Sequence, residues 1–250
     1  MNVLISRILR YLNGTIVYDD YYKFCEYVIF HYLQMENTTA ADIARNAGIA
    51  EESIMTFIGR LGYDTYEDFL SVLIRNHEVR LDQIRARMLG INSEELIANM
   101  EKSCSDEEMN QYISTICEDI DKAEKIFIIG AYYPLSLAIE LQTDLITFGK
   151  PVYFYHAFDP VMHATEKDVV IFISATGRAM NGFLKKNTHF GLDKATSILI
   201  TQNPVYEMEG HRISNYVLRL PGKFDGINFN YQIMTICDLI RVHYYQQYYL

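Results

Sequence analysis

Five consecutive residues, Ser174-Ala175-Thr176-Gly177-Arg178, bring two hydroxyls, a glycine and a cation to the mouth of an expected helix. A phosphate group requires donors of this kind, because hydroxyls and backbone N–H groups at a helix start point outward and the helix dipole favours negative charge there. A second stretch, Gly130-Ala131-Tyr132-Tyr133-Pro134, follows an apolar run. Pro134 suits the first turn of a helix, where a missing N–H costs nothing. Ser174–Arg178 also reads as a plain strand-to-helix turn, and Tyr132 and Tyr133 suit pocket-blocking or interface packing better than ligand binding. A third group lies near the N-terminus: Thr39 at the start of one short helix, with Ser53, Met55, Thr56 and Arg60 along the next. These are candidates for contact with DNA, and their types fit ordinary exposed helix positions equally well.

Other chemistry is sparse. The seven histidines show no ligand spacing with a second His, Cys or carboxylate, so no metal site is expected. No GxSxG, P-loop or GxGxxG is present. Glu140 and His163 are the nearest acid–base candidates, and core or surface roles suit both better. The sequence therefore predicts no catalytic residues, no cofactor and no enzyme.

These groups need elements to hold them. In residues 39–62, Thr39 and Asp42 form a capping-box pattern, Gly48 supplies a left-handed stop, and a second helix runs from Glu51 to a closing Gly62. Ile54, Phe57, Ile58 and Leu61 face inward on it. Helix, short glycine turn, helix is the helix-turn-helix arrangement. Residues 21–34 form another amphipathic helix. From residue 120 the texture changes to short apolar, β-rich runs at 125–130, 151–156, 169–174, 196–201 and 216–220, with helical spacers at 134–148 and 178–190. Strands without alternation, separated by helices, predict a doubly wound parallel sheet covered on both faces. Residues 229–250 read as a long tyrosine-rich helix.

Of the 250 residues, 50% are hydrophobic and 22% charged, which excludes a disordered chain. The formal charge is −10. It concentrates in residues 91–119, which hold eight acidic side chains and one basic one, Lys102. That stretch reads as an acidic helical connector between a domain at 1–90 and another at 120–250. The longest apolar stretch is too short for a bilayer, and the N-terminus offers no signal-peptide cleavage site. Four scattered cysteines fit reduced thiols, so a cytoplasmic protein away from membranes is expected.

The residue types carry a resemblance as well. Residues 42–63, D-I-A-R-N-A-G-I-A-E-E-S-I-M-T-F-I-G-R-L-G-Y, followed by Tyr66, Asp68 and Phe69, resemble the N-terminal domain of RpiR-type transcriptional regulators. That pattern reads E-L-A-x-x-A-G-V-S-x-x-T-I-x-R-F-x-x-K-L-G-[FY]. Thr56 stands at its Arg, Gly59 at one of its basic positions and Ala50 at its capping Ser. Residues 105–245 resemble a SIS (sugar isomerase) domain, with G-K-P-V after the second helix and S-A-T-G-R-A where that family shows S-x-S-G-x-T. Ser174, Thr176 and Gly177 match in kind, Ala179 replaces the last hydroxyl, and Arg178 adds a cation. The family's G-x-G-x-S appears as G-A-Y-Y-P, with Tyr132 in place of a glycine, where a bulky ring narrows the pocket.

The resemblance implies an all-α helix-turn-helix domain followed by an α/β SIS-like domain. It implies a transcription regulator of sugar metabolism that binds DNA, here weakly, and senses a phosphorylated sugar through Gly130, Ala131, Tyr132, Ser174, Thr176, Gly177 and Arg178. The surplus apolar surface of the last helix predicts a homodimer or higher even oligomer. A sugar-phosphate isomerase and a degenerate family member acting through protein contacts are the alternatives.

Overall fold

The computed structural model describes residues 4–155, 163–211, 213–224 and 226–250. Two compact units divide it. One is built on Met1–Leu89 with Ile146–Pro151, the other on Gly90–Leu145 and most of the chain after Pro151.

The first unit is helical: α1 (Leu4–Gly14), α2 (Asp20–Phe30), a 3-10 turn (Tyr32–Asn37), α3 (Ala40–Ala47), α4 (Glu51–Arg60) and α5 (Tyr66–Met88). Its core is aromatic. The Phe57 ring meets Tyr11, Tyr21 and Phe24 at centroid distances of 5.2, 5.3 and 5.6 Å, and Phe24 meets Phe69 at 5.8 Å. The ends of α3 form as the sequence predicts. Thr39 and Asp42 make a reciprocal capping box, and Gly48 closes the helix at φ 63°. Ile54, Phe57 and Ile58 are buried, whereas Leu61 is only half-buried. Ala50 gives α4 no side-chain cap. The helix expected at 21–34 stops at Phe30, and the chain tightens into the 3-10 turn.

The second unit begins with α6 (Ser93–Asn99) and α7 (Asp106–Lys122), which together account for the acidic stretch. Met109, Ile113, Ile116, Cys117 and Ile120 make the buried face of α7, and its carboxylates lie mostly outward. Then follow β1 (Lys125–Gly130), α8 (Tyr132–Ser136), α9 (Ile139–Thr147), β2 (Val152–Tyr155), β3 (Asp168–Ile173), α10 (Arg178–Lys186), β4 (Thr196–Thr201), a 3-10 turn (Pro204–Glu207), β5 (Tyr216–Arg219) and α11 (Gly226–Tyr244), which ends in a π turn, Tyr245–Tyr249. All pairings are parallel, in the order β2-β1-β3-β4-β5. Every residue of β3 is buried. Successive strand side chains point to opposite faces, so both faces of the sheet are covered.

The element boundaries differ from expectation in specific places. The helix expected at 134–148 is broken, because Leu137 and Ala138 donate to Pro134 and Leu135, three residues back, and this tight turn separates α8 from α9. The helix expected at 178–190 ends at Lys186, where both the backbone N–H and the side-chain amide of Asn187 bind the Phe183 carbonyl. Ser174 lies just past β3, and Leu220 just past β5. His156, expected in the second strand, lies outside the described residues. The last helix starts three residues early, at Gly226. A buried ion network ties α9 to α11: Arg241 donates to the fully buried Asp144 and to Asp238, each at 2.6 Å, and reaches Glu140 at 3.5 Å.

Candidate functional site

In this strand order β1 has β2 on one side and β3 on the other, so the chain leaves β1 and β3 in opposite directions, the switch point at which open parallel sheets place their ligand crevice. The register pairs Gly130 with Ile173, so the two stretches singled out from sequence emerge side by side there. Gly130 is required by that proximity, since a Cβ on it would come within 2.9 Å of the Ile173 carbonyl oxygen.

The turn after β3 is closely bonded. Ser174 is buried, and its Oγ accepts from the Ala179 N–H at 3.2 Å. Thr176 Oγ1 accepts from the Arg178 N–H at 3.3 Å and from Arg178 Nε at 3.1 Å. Gly177, at φ 81°, is the N-cap of α10. The two hydroxyls thus satisfy first-turn N–H groups of α10 while each retains its own hydrogen to donate. The Arg178 guanidinium folds back onto Thr176, which places a cation at the positive end of the helix dipole. That arrangement is unfavourable by itself and would be relieved by an anion. Ala131 caps α8, but five residues are too few to make that helix start an anion site.

A third loop, which the sequence reading missed, completes the turn. Thr201 Oγ1 and the Gln202 N–H both donate to the Ala175 carbonyl at 3.0 Å, and Asn203 Nδ2 donates to the Thr176 carbonyl at 3.0 Å. Tyr206, in the 3-10 turn Pro204–Glu207, lays its ring against Gly177. The polar triplet Thr201-Gln202-Asn203 at a strand end was the available signal. Tyr132, expected from the sequence as a bulky ring beside the pocket, is 78% exposed. Glu140 belongs to the Arg241 network, and His163 Nδ1 contacts the His189 carbonyl at 2.8 Å. Among the described residues, no group of three or more His, Cys, Asp or Glu could hold a metal ion, and no helix is long and apolar enough to cross a membrane.

In the helical unit, Thr39, Met55, Thr56 and Arg60 are exposed and Ser53 is half-buried, and the last two are engaged. Ser53 Oγ donates to Asp20 Oδ2 at 2.8 Å, and the Arg60 guanidinium stands 4.9 Å over the Tyr21 ring. Thr39 and Met55 line a cleft of about 500 Å³ together with Glu36, Glu51 and Glu67. Of the cations on α5, Arg80 is buried and Arg85 pairs with Asp82 at 3.2 Å.

No protein-family model matches the chain, and no curated protein matches it. Solved structures are similar at low identity. The Vibrio vulnificus NanR protein complexed with ManNAc-6P is 16% identical over 98% of this chain and 92% of that one, with a TM-score of 0.46. The sugar isomerase domain of an RpiR transcription factor from Sphaerobacter thermophilus is 12% identical over 66% and 89%, with a TM-score of 0.43. The Methanococcus jannaschii protein MJ1247, for which a 3-hexulose-6-phosphate isomerase function was inferred, is 17% identical over 68% and 92%, with a TM-score of 0.46.

Proposed function

We propose that the chain is a cytoplasmic transcription regulator of RpiR type, in which a SIS-like domain senses a phosphorylated sugar and a helix-turn-helix domain carries the signal to DNA. One observation carries the ligand half. At the switch point of the sheet, Ser174 and Thr176 bring two hydroxyls, and Arg178 a cation, to the start of α10 beside Gly130. The phosphate lies at that turn, and the sugar extends along the carboxyl ends of the strands. The protein is not an enzyme in this reading, since Glu140 and His163 are committed to Arg241 and to a backbone carbonyl.

The DNA half rests on α3, the Gly48 turn and α4. A guanidinium stacked on a ring still presents N–H groups at its edge, so Arg60 is the cation for a phosphate, with Thr39, Met55 and Thr56 on the exposed surface. With Glu51 and Glu52 on the same helix, binding is weak and steeply salt-dependent. Self-association uses Ile227, Tyr231 and Met234, which stand exposed at i, i+4 and i+7 on α11.

Calorimetry with a panel of hexose phosphates tests the first half. Ser174→Ala and Thr176→Ala should each weaken binding about tenfold, the value of one charge-assisted hydrogen bond. Binding that survives the double replacement would put the ligand elsewhere. A mobility-shift assay on the gene's upstream DNA tests the second half, with Arg60→Ala expected to abolish the shift. The acidic cleft around Glu36, Glu51 and Glu67 favours a second reading, a family member that has exchanged DNA for a basic protein partner. An unshifted DNA at low salt would select it.

A further inference from the structure

Ala179 stands where the resembled motif carries its last hydroxyl, yet another hydroxyl is held beside that helix start. Tyr206 is 7% exposed and lies so close across Gly177 that a Cβ there would come within 2.0 Å of its phenol oxygen. Its position is fixed from two sides. Asn181 Nδ2 donates to the phenol oxygen at 2.9 Å. Asn203 ties the loop down, with Nδ2 on the Thr176 carbonyl at 3.0 Å and Oδ1 accepting from the Val205 N–H at 3.1 Å. A phenol oxygen that accepts from Asn181 still has its own hydrogen to give. Among the described residues that hydrogen makes no hydrogen bond. A buried, oriented and unspent O–H is a donor in want of an acceptor. It shares the start of α10 with the hydroxyls of Ser174 and Thr176 and the guanidinium of Arg178, all of them donors.

We propose that Tyr206 is the third hydroxyl donor of the anion site, supplying from the loop after β4 what Ala179 cannot supply from α10. It donates to the same phosphate as Ser174 and Thr176, and Asn181 and Asn203 are its positioning residues. This inference rests on the phosphosugar reading of the turn. It adds a specificity consequence: a phosphate monoester offers three terminal oxygens to three hydroxyls, whereas a carboxylate offers two, so phosphate is selected over carboxylate.

The test is calorimetry on the full chain, with inorganic phosphate and fructose 6-phosphate as probes. Tyr206→Phe keeps the ring over Gly177 and removes only the hydroxyl, so both affinities should fall about tenfold with little change in the thermal midpoint. Adding Ala179→Thr to that variant should recover most of the loss, which a merely structural phenol would not allow. If Tyr206→Phe folds poorly, Asn181→Ala asks the same question by releasing the phenol oxygen, and a several-fold loss is expected. Unchanged affinity in Tyr206→Phe, with Ser174→Ala weakened, would overturn the role of Tyr206 and leave the site standing. A wild-type protein that binds neither probe would overturn the phosphate site and this role with it.

Discussion

Gly48 and Gly177 both hold left-handed backbone at a helix end, φ 63° and 81°, yet their surroundings differ. Gly48 closes α3 with nothing within 4 Å of where a Cβ would be, while Gly177 opens α10 under the Tyr206 ring. The first is a matter of backbone alone, the second of backbone and space together. The same contrast runs through the neighbouring polar groups. Around the Gly48 turn Ser53 is bonded to Asp20, while the exposed Arg60 lies over the Tyr21 ring with its edge N–H groups outward. Around Gly177 they gather at one helix start with hydrogens still to donate. A motif can persist in sequence while its side chains are redirected. Contacts, more than residue types, tell which polar groups keep hydrogens to donate.

Substitution of the two glycines should separate their surroundings most clearly. Gly177→Ala should cost about 3 kcal/mol, combining ~1–2 for left-handed backbone with at least ~1 for displacing a buried ring. Gly48→Ala should cost only about 1 kcal/mol, the backbone part alone. Urea denaturation of both variants measures the gap, and equal costs would show that Tyr206 yields freely. A smaller effect concerns α4, whose N-cap is Ala50. Ala50→Ser should raise stability by about 0.5–1 kcal/mol, because it supplies the missing acceptor, while Thr39→Ala should lower it by about 1 kcal/mol.

The smallest effect is in pH. Burial holds the imidazoles of His31 and His77 below their ordinary pKa of about 6.5. The unfolded chain therefore takes up protons that the folded unit resists. Stability is full above pH 6.5 and declines as pH falls below it. His77→Gln should flatten that decline between pH 7 and 5.5 in denaturation measurements, with little change at pH 7.5.

What the sequence made legible follows from where burial is uniform. β1 and β4 begin and end where their apolar runs do, because strands covered on both faces need unbroken hydrophobicity. The capping box at Thr39 and the stop at Gly48 were readable because both act through local backbone chemistry. Tyr206 was not, since its role depends on β4 lying beside β3, which no local pattern encodes. Nor was the turn of Ser53 and Arg60 toward α2, which is decided by packing around Phe57. The break at Leu137–Ala138 has no glycine to mark it, and Pro134 sits where a helix tolerates it.

The pairing of Gly130 with Ile173 also governs how this protein folds. Parallel strands close only through long crossovers, and such non-local pairing is slow relative to helix formation. The two loops are therefore brought together only once β1, β3 and β4 have aligned. On the proposed phosphosugar reading, a refolding chain should gain phosphate binding only as the parallel sheet completes, so a ligand would act on the finished sheet and not on the route to it.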